Sequence, residues 1–171
     1  MSKAVIALGT NMGTRIDNLN CAIRAVSRLP GVKIIAGSSV YETDPVGFEE
    51  QNKFYNAVIL VDTVTSPAVL LGGCLGIEAA MGRVRNRKNG PRIIDLDLLL
   101  YENFRSDSFE MRVPHPEILN RAFVMKPLSD IFPSGRALGF LFGPSLREIG
   151  ESGVVKTDYE LVIPEVSEDD M

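Results

Sequence analysis

Strand-like and helix-like segments follow one another along this chain in an order that few folds accommodate. Residues 4–8 form an apolar run that ends at Gly9, which predicts a buried strand. After this run, apolar residues recur at helical spacing up to Pro30-Gly31: Ile16, Leu19, Ile23, Val26 and Leu29. The first thirty residues are therefore predicted to form one strand and one helix.

The next seventy residues extend this pattern. Residues 32–42 are rich in β-branched side chains, and residues 54–63 form a second strand-like run. Ser66-Pro67 predicts a helix start, because serine caps helices and proline fits the first helical position. Residues 93–100 form a last strand. The order β-α-β-β-α-β indicates an α+β, ferredoxin-like sandwich, whose helices cover one face of an antiparallel sheet and leave the other partly open.

The remaining third of the chain has a weaker pattern. A hairpin and short helices are expected near residues 104–113, 116–131 and 144–149. The acidic stretch at residues 152–171 is expected to be poorly ordered. The length of 171 residues fits a single domain over residues 1–171.

Charge and hydropathy exclude several function classes. The net charge is −4 and the pI is about 5.1, which argues against a nucleic-acid binder. No apolar run approaches the roughly 18 residues of a membrane span, and the N-terminal run is too short for a secretory signal. We therefore expect a cytoplasmic monomer that acts on small molecules and contacts neither nucleic acid nor membrane.

Two aspartates on the last strand suggest a metal site. Asp95 and Asp97 are separated by one residue, so both side chains point to one face, while Ile94, Leu96, Leu98 and Leu100 face the core. Adjacent carboxylates repel one another, and oxygen ligands of this kind suit Mg²⁺. Such a pair can bridge two magnesium ions that clamp polyphosphate oxygens. The alternative is a pair of solvated surface aspartates.

A basic segment directly precedes the aspartates. Residues 83–92 contain five cationic side chains: Arg83, Arg85, Arg87, Lys88 and Arg92. Guanidinium groups bind phosphate bidentately, so a triphosphate held between metal ions and arginines fits this arrangement. The alternative is a solvated run of charge with no ligand.

Further candidate residues lie in two other segments. His115, the only histidine, is bracketed by prolines, and Arg121 and Phe123 follow it. Arginine suits a phosphate and phenylalanine a planar ring, although a lone histidine is more often structural. The loop at residues 43–47 precedes Phe54 and Asn56. An asparagine offers a donor and an acceptor to a heterocycle, and Phe54 is a stacking residue or simply a core residue.

These segments, together with others, resemble one known family. GTN at 9–11, YETDPVG at 41–47, FYNAV at 54–58, IEAAMGRVR at 77–85, GPRIIDLDLLL at 90–100 and VPHPEILNRAF at 113–123 are similar, in order and spacing, to the 6-hydroxymethyl-7,8-dihydropterin pyrophosphokinase family. The resemblance implies a ferredoxin-like fold and transfer of pyrophosphate from ATP to 6-hydroxymethyl-7,8-dihydropterin. AMP would be the second product, and the reaction is a step of folate biosynthesis.

The resemblance also implies a set of site residues. Two Mg²⁺ ions are expected on Asp95 and Asp97, and Arg83 and Arg92 are expected to grip phosphate and act in catalysis. The other expected ATP contacts are Glu78, Arg85, Leu98, His115 and Arg121. The expected pterin contacts are Asn11, Thr43, Pro45, Val46, Phe54, Asn56, Asp95 and Phe123.

The chain departs from the family pattern at two positions. An aromatic residue that often precedes Gly-Pro-Arg is replaced by Asn89, and a polar residue on the second helix is replaced by Leu75. Two other readings of the fold compete with an enzyme, namely a non-catalytic small-molecule-binding module and an RNA-binding sheet. An RNA-binding sheet needs exposed aromatic residues and usually a basic surface, which the acidic pI disfavours.

Overall fold

The structure is a computed structural model that describes residues 1–45, 50–82 and 92–165. The strands are β1 Ser2–Thr10, β2 Val32–Gly37, β3 Ser39–Thr43, β4 Phe54–Thr63, β5 Asp95–Tyr101, β6 Ser106–Asp107, β7 Arg112–Val113, β8 Arg136–Ala137, β9 Phe140–Leu141 and β10 Val154–Glu160. The helices are α1 Arg15–Ser27, α2 Pro67–Ala80, α3 Ala122–Ile131 and α4 Gly143–Ile149, with a 3₁₀ turn at Ile118–Asn120.

The main sheet is antiparallel and has the order β10-β3-β4-β1-β5, with β2 also paired to β4. This arrangement confirms the predicted ferredoxin-like α+β fold. The expected strand at residues 32–42 is divided at Ser38, whose hydroxyl accepts a hydrogen bond of 2.9 Å from the Val58 N–H. β2 therefore pairs with the far half of β4, and β3 pairs with the half that begins at Phe54.

The two faces of the sheet bury separate cores. Alternate residues of β1, such as Ile6 and Leu8, pack beneath α1 and α2 with Leu19 and Leu70. The opposite face carries Val5, Ala7 and Val58, which pack against residues of α3 and the start of α4: Val124, Met125, Leu128 and Phe142. These later helices cover only part of the second face. Near the last residues of β1 and the first residues of β4, this face is left accessible to solvent.

A bulge in β5 changes which residues reach each core. Leu98 pairs with Ile6 and Leu100 pairs with Val5, so Leu99 is an extra residue between them. Leu96 and Leu98 lie beneath α1 and α2 as expected, but Leu99 and Leu100 both pack in the second core. Leu100 is buried in a core as predicted, but on the opposite face of the sheet from Leu96 and Leu98, because the bulge interrupts the alternation.

The prediction of a poorly ordered tail from residue 152 is wrong for β10. Val154 pairs with Thr43 and Lys156 with Tyr41, so β10 covers the edge of β3. The Thr157 hydroxyl also donates to the Val40 carbonyl at 2.8 Å. Main-chain pairing with a distant strand orders this segment. Its β-branched and aromatic residues, Val154, Val155, Thr157 and Tyr159, are typical of a strand, and this signal was missed. Residues 166–171 lie outside the described part of the chain.

The smaller elements agree with the sequence. β6 and β7 form the hairpin expected within residues 104–113, and α3 and α4 lie where short helices were predicted. Ser66 caps α2 by accepting a hydrogen bond of 3.3 Å from the Val69 N–H. Among the described residues, every helix is too short or too polar to cross a membrane.

Candidate active site

The uncovered end of the second sheet face forms a cavity, here called the first cavity. It lies where the last residues of β1 and β3 are side by side with the first residues of β4 and β5. Helix α3 runs along one side of it. Its lining residues come from all of these elements: Ala7, Leu8, Gly9, Thr43, Asp44, Phe54, Asn56, Ala57, Arg92, Asp95, Asp97, Arg121, Phe123 and Val124. Strand alternation explains the grouping, because Phe54, Asn56 and Val58 share one face of β4.

The polar groups of the first cavity are fixed in direction. The Asn56 amide nitrogen donates to the Thr43 hydroxyl oxygen at 2.6 Å, and both residues are buried. Since this hydroxyl oxygen already accepts, its own proton is available to an acceptor on a ligand. Phe54 and Phe123 also line the cavity and suit a flat ring. The arrangement fits a planar heterocycle that carries both donors and acceptors.

Gly9 makes this arrangement possible. A Cβ atom placed on Gly9 would lie 2.9 Å from the Asn56 side-chain oxygen, too close for any other residue without a shift. The sequence predicted Gly9 to end a strand and placed it in the GTN segment of the family resemblance, but it did not predict the contact with Asn56. A glycine at the end of a buried strand often marks a close approach of backbone to a ligand or side chain, and that signal was available.

Asn11, expected to contact the pterin, joins three segments of the chain. Its amide nitrogen donates to the Gln51 side-chain oxygen at 2.8 Å and to the Asn52 carbonyl at 3.0 Å. Its side-chain oxygen accepts from the Arg92 N–H at 2.8 Å, and its own N–H donates to the Arg92 carbonyl at 3.1 Å. Asn11 is buried and lines neither cavity. It holds the backbone of Arg92 in place.

Arg92 and the two aspartates of β5 lie together in the first cavity, which Asp44 and Arg121 also line. The Arg92 guanidinium donates to an Asp95 carboxylate oxygen at 2.9 Å and lies 5.9 Å from the centre of the Phe54 ring. Asp95 and Asp97 pair with Gly9 and Ala7, so both lie beside the same stretch of β1. Two carboxylates and one cation therefore lie on one face of the sheet.

The aspartates fit magnesium in part. Carboxylate oxygens are the ligands that Mg²⁺ prefers, and it usually takes one or two of them together with water and phosphate oxygens. Among the described residues, no group of three or more His, Cys, Asp or Glu side chains is placed to enclose a metal. The donor set therefore suits metal ions that arrive with a phosphate ligand.

A second cavity lies beside the first, between α2, β5 and the β6–β7 hairpin. Its lining includes Glu78, Leu98 and His115, three residues expected on the nucleotide side. The others are Leu71, Leu75, Leu96, Asp97, Phe109, Glu110, Met111, Arg112, Val113 and Pro116. Asp97 lines both cavities, so the two lie next to each other at this residue.

His115 is held as a hydrogen-bond donor toward this second cavity. Its Nδ1 accepts from the Glu117 N–H at 3.1 Å, and its own backbone N–H donates to the Leu99 carbonyl at 2.8 Å. Burial lowers the pKa of His115 and the Arg121 charge acts in the same sense, while Asp97 and Glu117 oppose it. The neutral ring then carries its proton on Nε2, because Nδ1 is occupied as an acceptor.

The buried thiol near this cavity is not reactive. Burial, with the nearby charges of Glu78 and Asp97, raises the pKa of Cys74 to about 12. The thiol of Cys74 therefore stays protonated and packs as a small apolar group in the core.

Several other expected residues fall elsewhere. Arg121, expected on the nucleotide side, lines the first cavity, with its guanidinium 5.7 Å from the centre of the Phe123 ring. Pro45 is described but lines neither cavity. Arg83, Arg85 and Val46 lie outside the described residues. Asp44 lines the first cavity and Phe109 lines the second, and neither was predicted to be a site residue.

Known proteins share this chain's sequence over most of its length. The model of the 7,8-dihydro-6-hydroxymethylpterin-pyrophosphokinase (HPPK) family matches residues 5–133. A 2-amino-4-hydroxy-6-hydroxymethyldihydropteridine pyrophosphokinase of Methylorubrum extorquens is 37% identical over 158 residues, covering 92% of this chain and all of that protein. The enzyme of the same name from Haemophilus influenzae is 40% identical over 131 residues, covering 77% of this chain and 82% of its own.

Solved structures share the fold. A crystal structure of HPPK-DHPS in complex with substrates superimposes with a TM-score of 0.64 at 16% identity, covering 88% of this chain and 44% of the other. The Plasmodium falciparum HPPK-DHPS gives a TM-score of 0.61 at 17% identity, with 87% and 44% covered. This chain therefore spans less than half of those longer proteins. By the extent and identity of its sequence matches, the chain belongs to the 7,8-dihydro-6-hydroxymethylpterin-pyrophosphokinase family.

Proposed function

We propose that this chain transfers a diphosphate group from ATP to the hydroxymethyl group of 6-hydroxymethyl-7,8-dihydropterin, a step of folate biosynthesis. The observation that carries the proposal is the pair of neighbouring cavities that share Asp97 as a lining residue. The first cavity offers polar groups held by a hydrogen bond and two aromatic rings. The second cavity is lined by His115 and by apolar side chains. A transfer enzyme needs two substrates whose reacting atoms come together at one charged point.

The pterin would bind in the first cavity. Its ring lies between Phe54 and Phe123, and the Thr43 hydroxyl proton and the Asn56 carbonyl oxygen pair with its edge. Because these polar groups are already oriented by their mutual hydrogen bond, little order must be created on binding. The hydroxymethyl group is then directed toward the aspartates of β5.

ATP would bind in the second cavity, with its phosphates at the Asp97 end. The His115 Nε2–H donates to a phosphate oxygen, and Arg92 and Arg121 approach the same phosphates from the first cavity. The family resemblance adds Arg83 and Arg85 to these contacts. Buried Glu78 lines the same cavity on α2. Guanidinium groups suit this task since they bind phosphate oxygens in pairs.

Asp95 and Asp97 would hold two magnesium ions together with the phosphate oxygens. When bound, these ions neutralise charge on the phosphates and lower the proton affinity of the substrate alcohol. The protein holds the alcohol oxygen in line with the bond to be broken. A new bond forms from this oxygen to the β-phosphorus, and the alcohol proton is released to solvent. The bond from that phosphorus to the α–β bridging oxygen breaks, and AMP leaves with this oxygen. Positioning and charge therefore account for most of the rate enhancement.

We also propose that the chain acts as a monomer in the cytoplasm. The support for a monomer is that one chain supplies the residues of both cavities. Sedimentation at micromolar concentration would give a single species of about 18.7 kDa. A stable dimer that alone is active would contradict the proposal.

The test of the proposed function is an assay of AMP formation from ATP. With magnesium and the pterin alcohol present, AMP and the pterin diphosphate should form in equal amounts. Without the pterin alcohol, AMP should not accumulate. Formation of ADP instead would indicate single phosphoryl transfer, and binding of both ligands without any product would indicate the non-catalytic module.

A further inference from the structure

Phe109 is highly exposed and also forms part of a cavity wall. Its side chain is 90% exposed, yet it lines the second cavity at the tip of the β6–β7 hairpin. A fully solvated phenylalanine gains nothing from burial in the folded protein. The position of Phe109 therefore points to a contact made with something that enters the cavity.

The turn that carries Phe109 is held in one conformation. The Ser108 hydroxyl donates to the Met111 carbonyl at 3.1 Å and accepts from the Met111 N–H at 3.3 Å. The Ser106 hydroxyl accepts from the Ser108 N–H at 3.3 Å, and Val113 at the base of the hairpin is buried. The aromatic ring is thus presented from a fixed turn.

The second cavity has different chemistry at its two ends. Asp97 and His115 lie at the end that joins the first cavity. Apolar side chains of α2, β5 and the hairpin line much of the rest together with Phe109: Leu71, Leu75, Leu98 and Met111. Glu78, Glu110 and Arg112 add charged groups to the same lining. The cavity therefore suits a ligand whose anionic tail reaches Asp97 together with metal ions and whose flat head has an apolar face and polar edge atoms.

We propose that Phe109 is the residue on which the purine base of the nucleotide stacks. The proposal rests on the proposed function, which places ATP in the second cavity. Stacking of a base on an aromatic side chain is favourable for any base, and it favours purines because they present the larger face. Phe109 then contributes to nucleotide affinity and to purine preference without touching the reacting phosphates.

Three variants at this position test the proposal: Phe109→Ala, Phe109→Leu and Phe109→Trp. Titration would use α,β-methylene ATP with magnesium, since its α–β bridge cannot be broken, and inorganic tripolyphosphate with magnesium, since it has no base. Phe109→Ala should raise the Kd of the ATP analogue about fivefold to tenfold. It should leave the Kd of tripolyphosphate unchanged. Phe109→Leu should fall between the two, because it keeps apolar bulk but has no ring.

The tryptophan variant gives a direct optical readout. The chain has no tryptophan, so Phe109→Trp introduces a single tryptophan whose fluorescence can be followed. Its emission should change when the ATP analogue binds and stay constant with tripolyphosphate. Leu141→Trp is the matched control, since Leu141 is 49% exposed and lines neither cavity. Emission of this control should not respond to either ligand.

A wild-type Kd for the ATP analogue in Phe109→Ala would overturn the proposal. Equal weakening of the analogue and tripolyphosphate would also overturn it, because Phe109 would then act through the shape of the phosphate site. These failures differ from failure of the proposed function. If wild-type protein forms AMP while Phe109→Ala binds normally, only the stacking role is lost. If Phe109→Trp responds to the analogue but no AMP forms, only the transfer activity is lost.

Discussion

The two cavities are built in different ways, although they share Asp97. In the first cavity, polar groups are fixed by hydrogen bonds within the protein, as between Asn56 and Thr43. In the second, leucine, methionine and phenylalanine side chains lie beside His115 and four charged residues, Glu78, Asp97, Glu110 and Arg112. The first arrangement suits a rigid heterocycle with a defined pattern of donors and acceptors. The second suits a longer ligand that is held by its charge and by the area of its base.

This difference predicts that most substitutions will affect one substrate only. Changes at Asn56 or Gly9 should alter pterin binding, and changes at Phe109 should alter nucleotide binding. Asp97 is the exception, because it lines both cavities. The variants below test this separation, beginning with the largest expected effect.

Asp97→Asn should reduce the rate of the chemical step by at least about a thousandfold. The amide keeps the shape of the side chain but lacks the charge that holds the metal ions, which contribute several kcal/mol to transition-state stabilisation. Single-turnover formation of AMP measures the effect, and thermal unfolding checks that the fold is intact. Asp158→Asn, on the exposed side of β10, is the matched control and should react like wild type. A near-normal rate for Asp97→Asn would remove Asp97 from the site.

Arg92→Ala should lower the chemical step about 10- to 150-fold while changing ATP affinity little. The reason is that Arg92, whose backbone is held by Asn11, lines the first cavity beside Asp95, where we propose that the transferred phosphates lie. Arg92→Lys should recover only part of the rate, because lysine lacks the planar fork. Arg105→Ala, an exposed arginine that lines neither cavity, is the control.

Rapid-mixing experiments separate binding from reaction for Arg92→Ala. If ATP binding were lost while the bound complex reacted at the wild-type rate, Arg92 would be an anchor for the ground state. The assignment of Arg92 to catalysis would then be wrong.

Gly9→Ala should weaken pterin binding about 10- to 100-fold and leave the Kd of ATP unchanged. The added methyl group would lie 2.9 Å from the Asn56 oxygen and would displace the carboxamide from Thr43. Polar groups left unpaired cost roughly 1–3 kcal/mol, which sets this range. Calorimetric titration with the pterin, in the presence of α,β-methylene ATP and magnesium, measures it.

A double-mutant cycle shows whether the methyl group acts through Asn56. Asn56→Ala alone should weaken pterin binding to a similar extent. In the Asn56→Ala background, Gly9→Ala should weaken pterin binding little further, because the side-chain oxygen that the added methyl group would meet is absent. Additive losses would mean that the alanine methyl group blocks the ligand directly.

Gly76→Ala should have the smallest effect and should stabilise the protein. A Cβ atom on Gly76 meets nothing within 4 Å, so alanine gains roughly 1 kcal/mol of helix propensity in α2. This corresponds to a rise in Tm of about 2–4 °C, with both ligand affinities unchanged. Gly73→Ala is the contrast. Its Cβ atom would lie 2.9 Å from the Leu29 side chain, which must shift, so this variant should raise Tm less than Gly76→Ala. A change in ligand affinity for Gly76→Ala would show that binding follows stability and not cavity geometry.

Local patterns in the sequence were enough to predict the order of the main strands and helices. The alternation of Asp95 and Asp97 with leucines predicted their shared face, and Ser66-Pro67 predicted the start of α2. These features depend on residues close together in the chain. For that reason they could be read without knowing how the sheet is assembled.

The features that the sequence did not predict depend on distant partners. The bulge at Leu99 arises from the pairing of β5 with β1, and β10 is ordered by pairing with β3. Asn11 contacts Gln51 and Arg92, which are 40 and 81 residues away, and so holds a position that its own segment does not reveal. Family resemblance placed Asn11 near the site, but only the fold shows which atoms it binds.

The central claim is that an intact diphosphate passes from one cavity to the other at Asp97. Single-turnover reaction with ATP labelled at the α-phosphate or at the γ-phosphate tests this claim most directly. The α label should appear only in AMP, and the γ label only in the pterin diphosphate, at equal rates and only when the pterin alcohol is present. Appearance of the α label in ADP, with the γ label transferred alone, would contradict the account.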